Sequence, residues 1–212
     1  DPFNLRYALG LSRKEIWEAH IRAKKKLIEK VNNEYNSNLD LNVLTIGFAR
    51  RSTQYKRSYL LFKDLERLKH IVQTKGKIQI IMAGKAHPKD TGGKDLIKNI
   101  FNLKDELKNI VEIVYMENYN MDIAKILISG VDIWLNTPLK PMEASGTSGM
   151  KAAHNGVPHF SVLDGWWLEG HVEGVTGWSI GGKTESTDDQ DSDDLYNKLS
   201  NEILPMFYND WD

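Results

Sequence analysis

The chain alternates between short unbroken apolar runs and longer stretches in which apolar residues return every three or four positions. The runs at 43–49, 78–83, 111–116, 131–135 and 159–163 are five to seven residues long and lack strict alternation with polar residues. That pattern predicts strands covered on both faces, as in a parallel sheet. Helical spacing fills the gaps at 55–71, where Leu61, Leu65 and Leu68 share a face, and at 96–107, 122–128 and 148–154. Ahead of the first strand, Ser12 with Glu15 three residues on forms a capping box, and Ile16, Ala19, Ala23, Leu27 and Val31 follow on one helical face. Asn32-Asn33 and Asn36-Ser37-Asn38 then break the pattern. Strand–helix–strand repetition predicts a right-handed, doubly wound parallel α/β sheet. Such sheets bind ligands beyond the carboxyl ends of their strands, so the loops after each strand are where chemistry is expected. The tail changes character: 184–194 is polar and acidic, and 195–207 is again amphipathic. The acidic run lacks the turn glycine and closing Glu of a calcium loop, and reads as a solvated loop capping a final helix.

Composition narrows the function classes. With 28 Lys and Arg against 29 Asp and Glu, the net charge of −1 gives no broad pull towards nucleic acid or an anionic membrane, so any anion site must be local. There is no cysteine, which excludes disulfides, thiol nucleophiles and Cys-based zinc sites and fits a cytoplasmic protein. No apolar run approaches the roughly 20 residues of a membrane span. The opening Asp1-Pro2-Phe3-Asn4 has neither an initiator Met nor a signal-peptide pattern, and reads as an internal start of a longer protein.

Three loops carry candidate chemistry. After the first strand, Arg50, Arg51 and Lys56 stand at the start of a helical stretch. Cations beside free helix N–H groups suit a phosphate, and the same cluster also suits a solvated basic turn. After the second strand, Gly84-Lys85-Ala86-His87-Pro88 lets backbone approach a ligand; Lys85 is either a phosphate ligand or a surface lysine, and His87 holds the loop. After the fourth strand, Glu143-Ala144-Ser145-Gly146-Thr147-Ser148-Gly149-Met150-Lys151 leads into a helix. Its N–H and hydroxyl groups suit a phosphate or sugar hydroxyls, and Glu143 suits a sugar hydroxyl as an acceptor. It matches neither a Walker loop nor G-x-G-x-x-G. Lys151, flanked by Met150, Ala152 and Ala153, is expected to be semi-buried with a lowered pKa; the alternative is an exposed helical lysine. The histidines assemble no metal site, and no serine nucleophile elbow is present.

Together these segments resemble the α-glucan phosphorylase family, which includes glycogen, starch and maltodextrin phosphorylases. Arg50-Arg51 with Tyr55-Lys56-Arg57 resembles its K-R-x-x-x-Y-K-R, 83–88 its G-K-A loop, and Glu117-Asn118-Tyr119 its E-N-Y. Glu143 to Lys151 resembles E-A-S-G-T-x-N-M-K, with Asn155-Gly156 and Asp164-Gly165 continuing the match, so the resemblance spans about 1–182. Arg50 replaces the usual Lys, Gly149 the usual Asn, and Trp166-Trp167 stands where animal enzymes carry Ala-Asn; these forms look like the shorter bacterial and archaeal members.

The resemblance implies a Rossmann-like C-terminal half of a two-domain GT-B enzyme, whose active site lies between the halves. It implies pyridoxal 5′-phosphate carried by Lys151, with Arg50, Thr147, Ser148 and Tyr119 as further cofactor ligands. Arg51 and Lys56 would take the substrate phosphate. Glu143, Ser145 and Gly146 would take glucose, with Tyr55 and Tyr119 lining the site. The implied reaction converts α-1,4-glucan and inorganic phosphate into glucose 1-phosphate with retention. The implied partners are those compounds and an N-terminal domain of the same protein, and a homodimer of the full-length enzyme is compatible. The expected organisation is a helical lead-in over 1–40, the cofactor- and glucose-binding domain over 41–182, and an acidic loop with a C-terminal helix over 183–212. The other readings are a nucleotide-sugar glycosyltransferase of the same architecture and a binding module without catalysis. Retaining glycosyltransferases often carry a second Glu where Lys151 stands, and a charged lysine accepts no hydrogen bond from a ribose hydroxyl.

Overall fold

The computed structural model describes residues 2–182 and 184–209; Asp1, Lys183 and 210–212, which fall at the ends of the expected lead-in and tail, lie outside the described residues. Among the described residues six strands form one sheet: β1 Leu44–Ala49, β2 Ile78–Ala83, β3 Glu112–Met116, β4 Ile133–Asn136, β5 His159–Val162 and β6 Gly177–Ile180. Their order is β3-β2-β1-β4-β5-β6, and every pairing is parallel. This is the doubly wound dinucleotide-fold order, with its switch point between β1 and β4. Ile46 pairs with Ile80 on one side and with Ile133 on the other. All residues of β1, β2, β4, β5 and β6 are buried, which is why the apolar runs do not alternate.

Helices α1 Arg13–Tyr35, α2 Leu65–Thr74, α3 Thr91–Glu106, α4 Met121–Gly130, α5 Thr147–His154, α6 Trp167–Gly170, α7 Asp188–Lys198 and α8 Leu204–Asn209 cover both faces. On one face Leu27, Val31, Leu127 and Ala152 pack on Ile81, Val114 and Trp134. On the other Leu68, Ile71, Leu195, Leu199 and Ile203 pack on Ile46, Ile80 and Met82. The Ser12–Glu15 capping box starts α1. Inside α1, Lys24 is fully buried and donates to Asp132 Oδ2 at 2.6 Å and to the Val43 carbonyl at 2.8 Å. Asp132 also accepts the Thr45 N–H at 2.7 Å and meets His20 Nε2 at 2.8 Å, tying α1 to the starts of β1 and β4. Burial pushes the Lys24 ammonium pKa down, against the opposing pull of Asp132.

Three local expectations are corrected. The stretch 55–71 is not one helix: 3-10 turns Gln54–Lys56 and Leu60–Phe62 precede α2, which starts only after its cap Asp64. Arg57 interrupts it in the left-handed region at φ 44°. Its guanidinium donates to the carbonyls of Thr137 (3.0 Å) and Pro138 (2.8 Å) and to Asp188 Oδ1 (2.8 Å) and Asp191 Oδ2 (2.6 Å). The acidic run is a loop only to Thr187, which closes a capping box with Gln190; from Asp188 it is α7, and Asp191 is buried against Arg57. The sixth strand was not expected: β6 has four residues, of which only Trp178 and Ile180 are large and apolar.

Candidate active site at the carboxyl edge of the sheet

Because all strands run parallel, Arg50 after β1, Lys85 after β2, Tyr119 after β3 and Glu143 after β4 all stand at the same sheet edge. Gly84 is needed where the loops after β1 and β2 meet, since a Cβ there would lie 2.0 Å from the Arg50 carbonyl oxygen. Lys85 itself is exposed, and its carbonyl accepts the Ser52 N–H at 3.2 Å. His87 holds its turn: its carbonyl accepts the Asp90 N–H at 2.8 Å and its Nδ1 the Lys89 N–H at 3.2 Å.

The centre of the site is an ion cluster. Glu143 Oε2 accepts from Arg50 at 2.6 Å and from Lys56 Nζ at 2.7 Å. The three side chains are only 6%, 11% and 8% exposed, in the order Arg50, Lys56, Glu143. Burial pushes the Glu143 carboxyl pKa up, and the hydrogen bonds from Lys56 and Arg50 outweigh it, leaving it below the usual carboxylate range. Two cations share one carboxylate, so the cluster carries a net positive charge in a poorly solvated place. A guanidinium has five donors and an ammonium three, so both cations keep donors for an incoming anion. Lys56 Nζ also lies 4.5 Å from the Tyr55 ring centre.

The backbone around Glu143 is held from β5. The Glu143 N–H donates to Asp164 Oδ2 at 2.8 Å, and the Trp166 N–H donates to the Ser145 carbonyl at 2.9 Å. Gly146 then takes a left-handed conformation, φ 83°, and opens α5. Ser148 Oγ is buried there, with no hydrogen-bond partner among the described residues. Behind the loop His159, 1% exposed, has neither ring nitrogen in a normal hydrogen bond among the described residues. Burial, and secondarily the Arg50 cation, push its pKa down to about 3, so the ring is neutral; the Trp134 backbone pulls weakly the other way. Tyr119 is half-buried against the cluster containing Ala83, Met116 and Ala152, and burial raises its hydroxyl pKa.

The expectation for Lys151 is corrected: the side chain is exposed, as are Arg51, Ser145 and Thr147. The reason is helical geometry. Gly149 and Ala152 take the buried face of α5, and Lys151, two residues after Gly149, points roughly 200° around the axis from it. Arg50, Lys56 and Glu143 therefore meet directly, and 145–151 borders them through the loop that Glu143 begins. Sequence reasoning gave no site role to Asp164, Trp166 and His159, which shape that loop from behind. It also gave no role to Arg57, which anchors the turn carrying Lys56; the Thr137 hydroxyl secures the same turn by donating to the Lys56 and Arg57 carbonyls at 2.9 and 3.0 Å.

A family model described as carbohydrate phosphorylase matches residues 11–192. Glycogen phosphorylase of Aquifex aeolicus is 45% identical over 92% of this chain and 31% of its own length. Maltodextrin phosphorylase of Thermococcus litoralis is 45% identical over 92% of this chain and 25% of its own. An uncharacterized protein of Methanocaldococcus jannaschii is 34% identical over 90% of this chain and 36% of its own. The chain thus spans between a quarter and little more than a third of these curated relatives.

Proposed function

Because the chain belongs to the carbohydrate phosphorylase family, we propose that it supplies the cofactor-bearing half of an α-1,4-glucan phosphorylase active site. The observation that carries this reading is the Arg50–Glu143–Lys56 cluster at the switch point, followed directly by the α5 loop and Lys151. Buried paired cations with spare donors suit phosphate oxygens, and a carboxylate among them suits sugar hydroxyls.

The residues present fit pyridoxal phosphate. Gly146 opens the first turn of α5, and the buried, unpartnered Ser148 hydroxyl offers a donor beside it. Lys151 carries a solvent-accessible amine one turn further on. Lys151, Arg50, Thr147, Ser148 and Tyr119 would hold the group, whose phosphate would supply a proton donor and acceptor.

Arg51 and Lys56 bind and orient inorganic phosphate, and the net positive charge of the cluster offsets the repulsion between two neighbouring phosphates. Glu143, Ser145 and Gly146 hold the terminal glucose through its hydroxyls. Tyr55 and Tyr119 restrict water on the flanks. The products are glucose 1-phosphate and a shortened glucan, with retention at the anomeric carbon. The rest of the substrate site comes from an N-terminal domain of the same polypeptide.

The test is release of glucose 1-phosphate from maltodextrin and phosphate by the intact polypeptide supplied with pyridoxal phosphate. The reading requires phosphate-dependent release there, and none from residues 1–212 alone, because positioning accounts for about 7–11 kcal/mol of such barriers. Transfer from a nucleotide-sugar donor without phosphorolysis would replace it with the glycosyltransferase reading.

A further inference from the structure

Trp166 occupies a slot walled by glycines. A Cβ at Gly149 would lie 2.7 Å from Trp166 Nε1 and 2.6 Å from His159 Nε2; one at Gly146 would lie 3.1 Å from Trp166 Cδ1, and one at Gly170 only 2.3 Å from Cζ3. The indole thus lies against the loop and first turn of α5 that Glu143 begins. Its ring centre is 5.6 Å from His159 and 5.2 Å from Trp167, and its Nε1 is buried with no partner among the described residues. The same residue holds the loop through its backbone N–H on the Ser145 carbonyl. Glu143 has anchors of its own, in Asp164 for its N–H and in Arg50 and Lys56 for its carboxylate. Ser145, Gly146 and Gly149 instead lean on Trp166.

We propose that Trp166 is a positioning residue for sugar recognition: its indole takes the space of the side chain that Gly149 lacks and sets the Ser145–Gly146 backbone that receives the glucose hydroxyls. The two departures noted in the sequence, Gly149 and Trp166, are then one device. The space at 149 is small because the rings of His159 and Trp166 close it together. The inference rests on the sugar-binding reading of this loop, so the test has one arm that does not depend on it.

That arm is a double-mutant cycle in thermal unfolding of the chain with Gly149→Ala, Trp166→Ala and the pair. A methyl at 149 collides with the indole, whereas removal of the indole lets His159 relax away from it. The pair therefore loses clearly less than the sum of the single losses in melting temperature. Additive losses would overturn the pairing of 149 with 166. The second arm measures steady-state kinetics of the intact polypeptide. Trp166→Ala raises KM for glucan and glucose 1-phosphate about ten- to a hundred-fold, as expected when a binding backbone shifts by around an ångström. KM for inorganic phosphate, which depends on the loop after β1, changes less than about two-fold, well under the tenfold that 1.4 kcal/mol represents. Trp166→Phe, which keeps a ring in the slot, recovers most of the loss. Unchanged sugar KM in Trp166→Ala, or an equal loss for phosphate and sugar, would overturn the positioning role. Coupling without a sugar effect would leave the packing intact and refute only the link to sugar.

Discussion

Arg57 provides the most quantitative test of how the turn carrying Lys56 is held. Its guanidinium is 2% exposed and meets two carboxylates of α7 and two carbonyls of the chain after β4. The substitution Arg57→Met keeps most of the apolar stem and removes the charge. It leaves Asp191, 2% exposed, with a hydroxyl contact from Ser186 but without its cation, and two carbonyls without their donor. Breaking a buried pair from one side costs about 3–5 kcal/mol. At about 2–4 °C per kcal/mol for a domain of this size, the melting temperature should fall by about 6–20 °C. Arg67→Met is the control, since its partner Asp193 is 70% exposed and such pairs are worth at most about 1 kcal/mol. Adding Asp191→Asn to Arg57→Met should recover part of the loss by removing the stranded charge. Scanning calorimetry at neutral pH reads all four proteins. An Arg57→Met shift no larger than that of Arg67→Met, or no recovery in the double variant, would refute the claim that this ion cluster fixes the turn carrying Lys56.

His159, with its pKa near 3 against an ordinary 6.5, stays neutral in the folded chain, so its ring signals in NMR should not titrate between pH 8 and 4. Because only the unfolded state takes up that proton, its stabilising contribution is complete above pH 6.5 and is lost as pH falls towards 3, at up to about 1.4 kcal/mol per pH unit; titration near 6.5 would contradict the burial described here. Glu173 is subject to a raising effect from burial that the hydrogen bonds from Ser179, Lys198 and His171 outweigh, to about 2. Its contribution is present above the ordinary 4.5 and disappears as pH drops towards 2, so Glu173→Gln should flatten the acid limb of melting temperature against pH in that window. Glu143→Gln removes the carboxylate shared by Arg50 and Lys56; in the intact polypeptide KM for phosphate should fall and KM for glucan rise, and parallel changes in both would argue against separate roles.

The strands were legible because burial on both faces writes them as apolar runs, and β2 matches its run residue for residue. β6 was not, because four residues with a serine at the third position leave no such run. The break at Arg57 was invisible for a different reason: its partners lie 80 to 134 positions away, and local periodicity says nothing about them. For the same reason the acidic run showed its charge but not the buried Arg57 it serves. In the site, the 143–151 string falls on the loop that opens α5, and strand direction alone placed Arg50, Lys85, Tyr119 and Glu143 on one edge. The direct contacts of Glu143 with Arg50 and Lys56 span 93 and 87 positions and needed the fold. For Lys151 the alternative of an exposed helical lysine holds: its sequence neighbours are apolar, but α5 turns Gly149 and Ala152 inward and the lysine outward.

The central claim, that the loop after β4 carries the cofactor of a glucan phosphorylase, is tested most directly by locating the cofactor. The intact polypeptide is incubated with pyridoxal phosphate, reduced with borohydride and mapped by peptide mass spectrometry. A pyridoxyl group is expected on Lys151, and in Lys151→Ala that label and phosphorolysis are both lost. A label on Lys56 or Lys85 with Lys151 unmodified, or phosphorolysis that survives in Lys151→Ala, would contradict it.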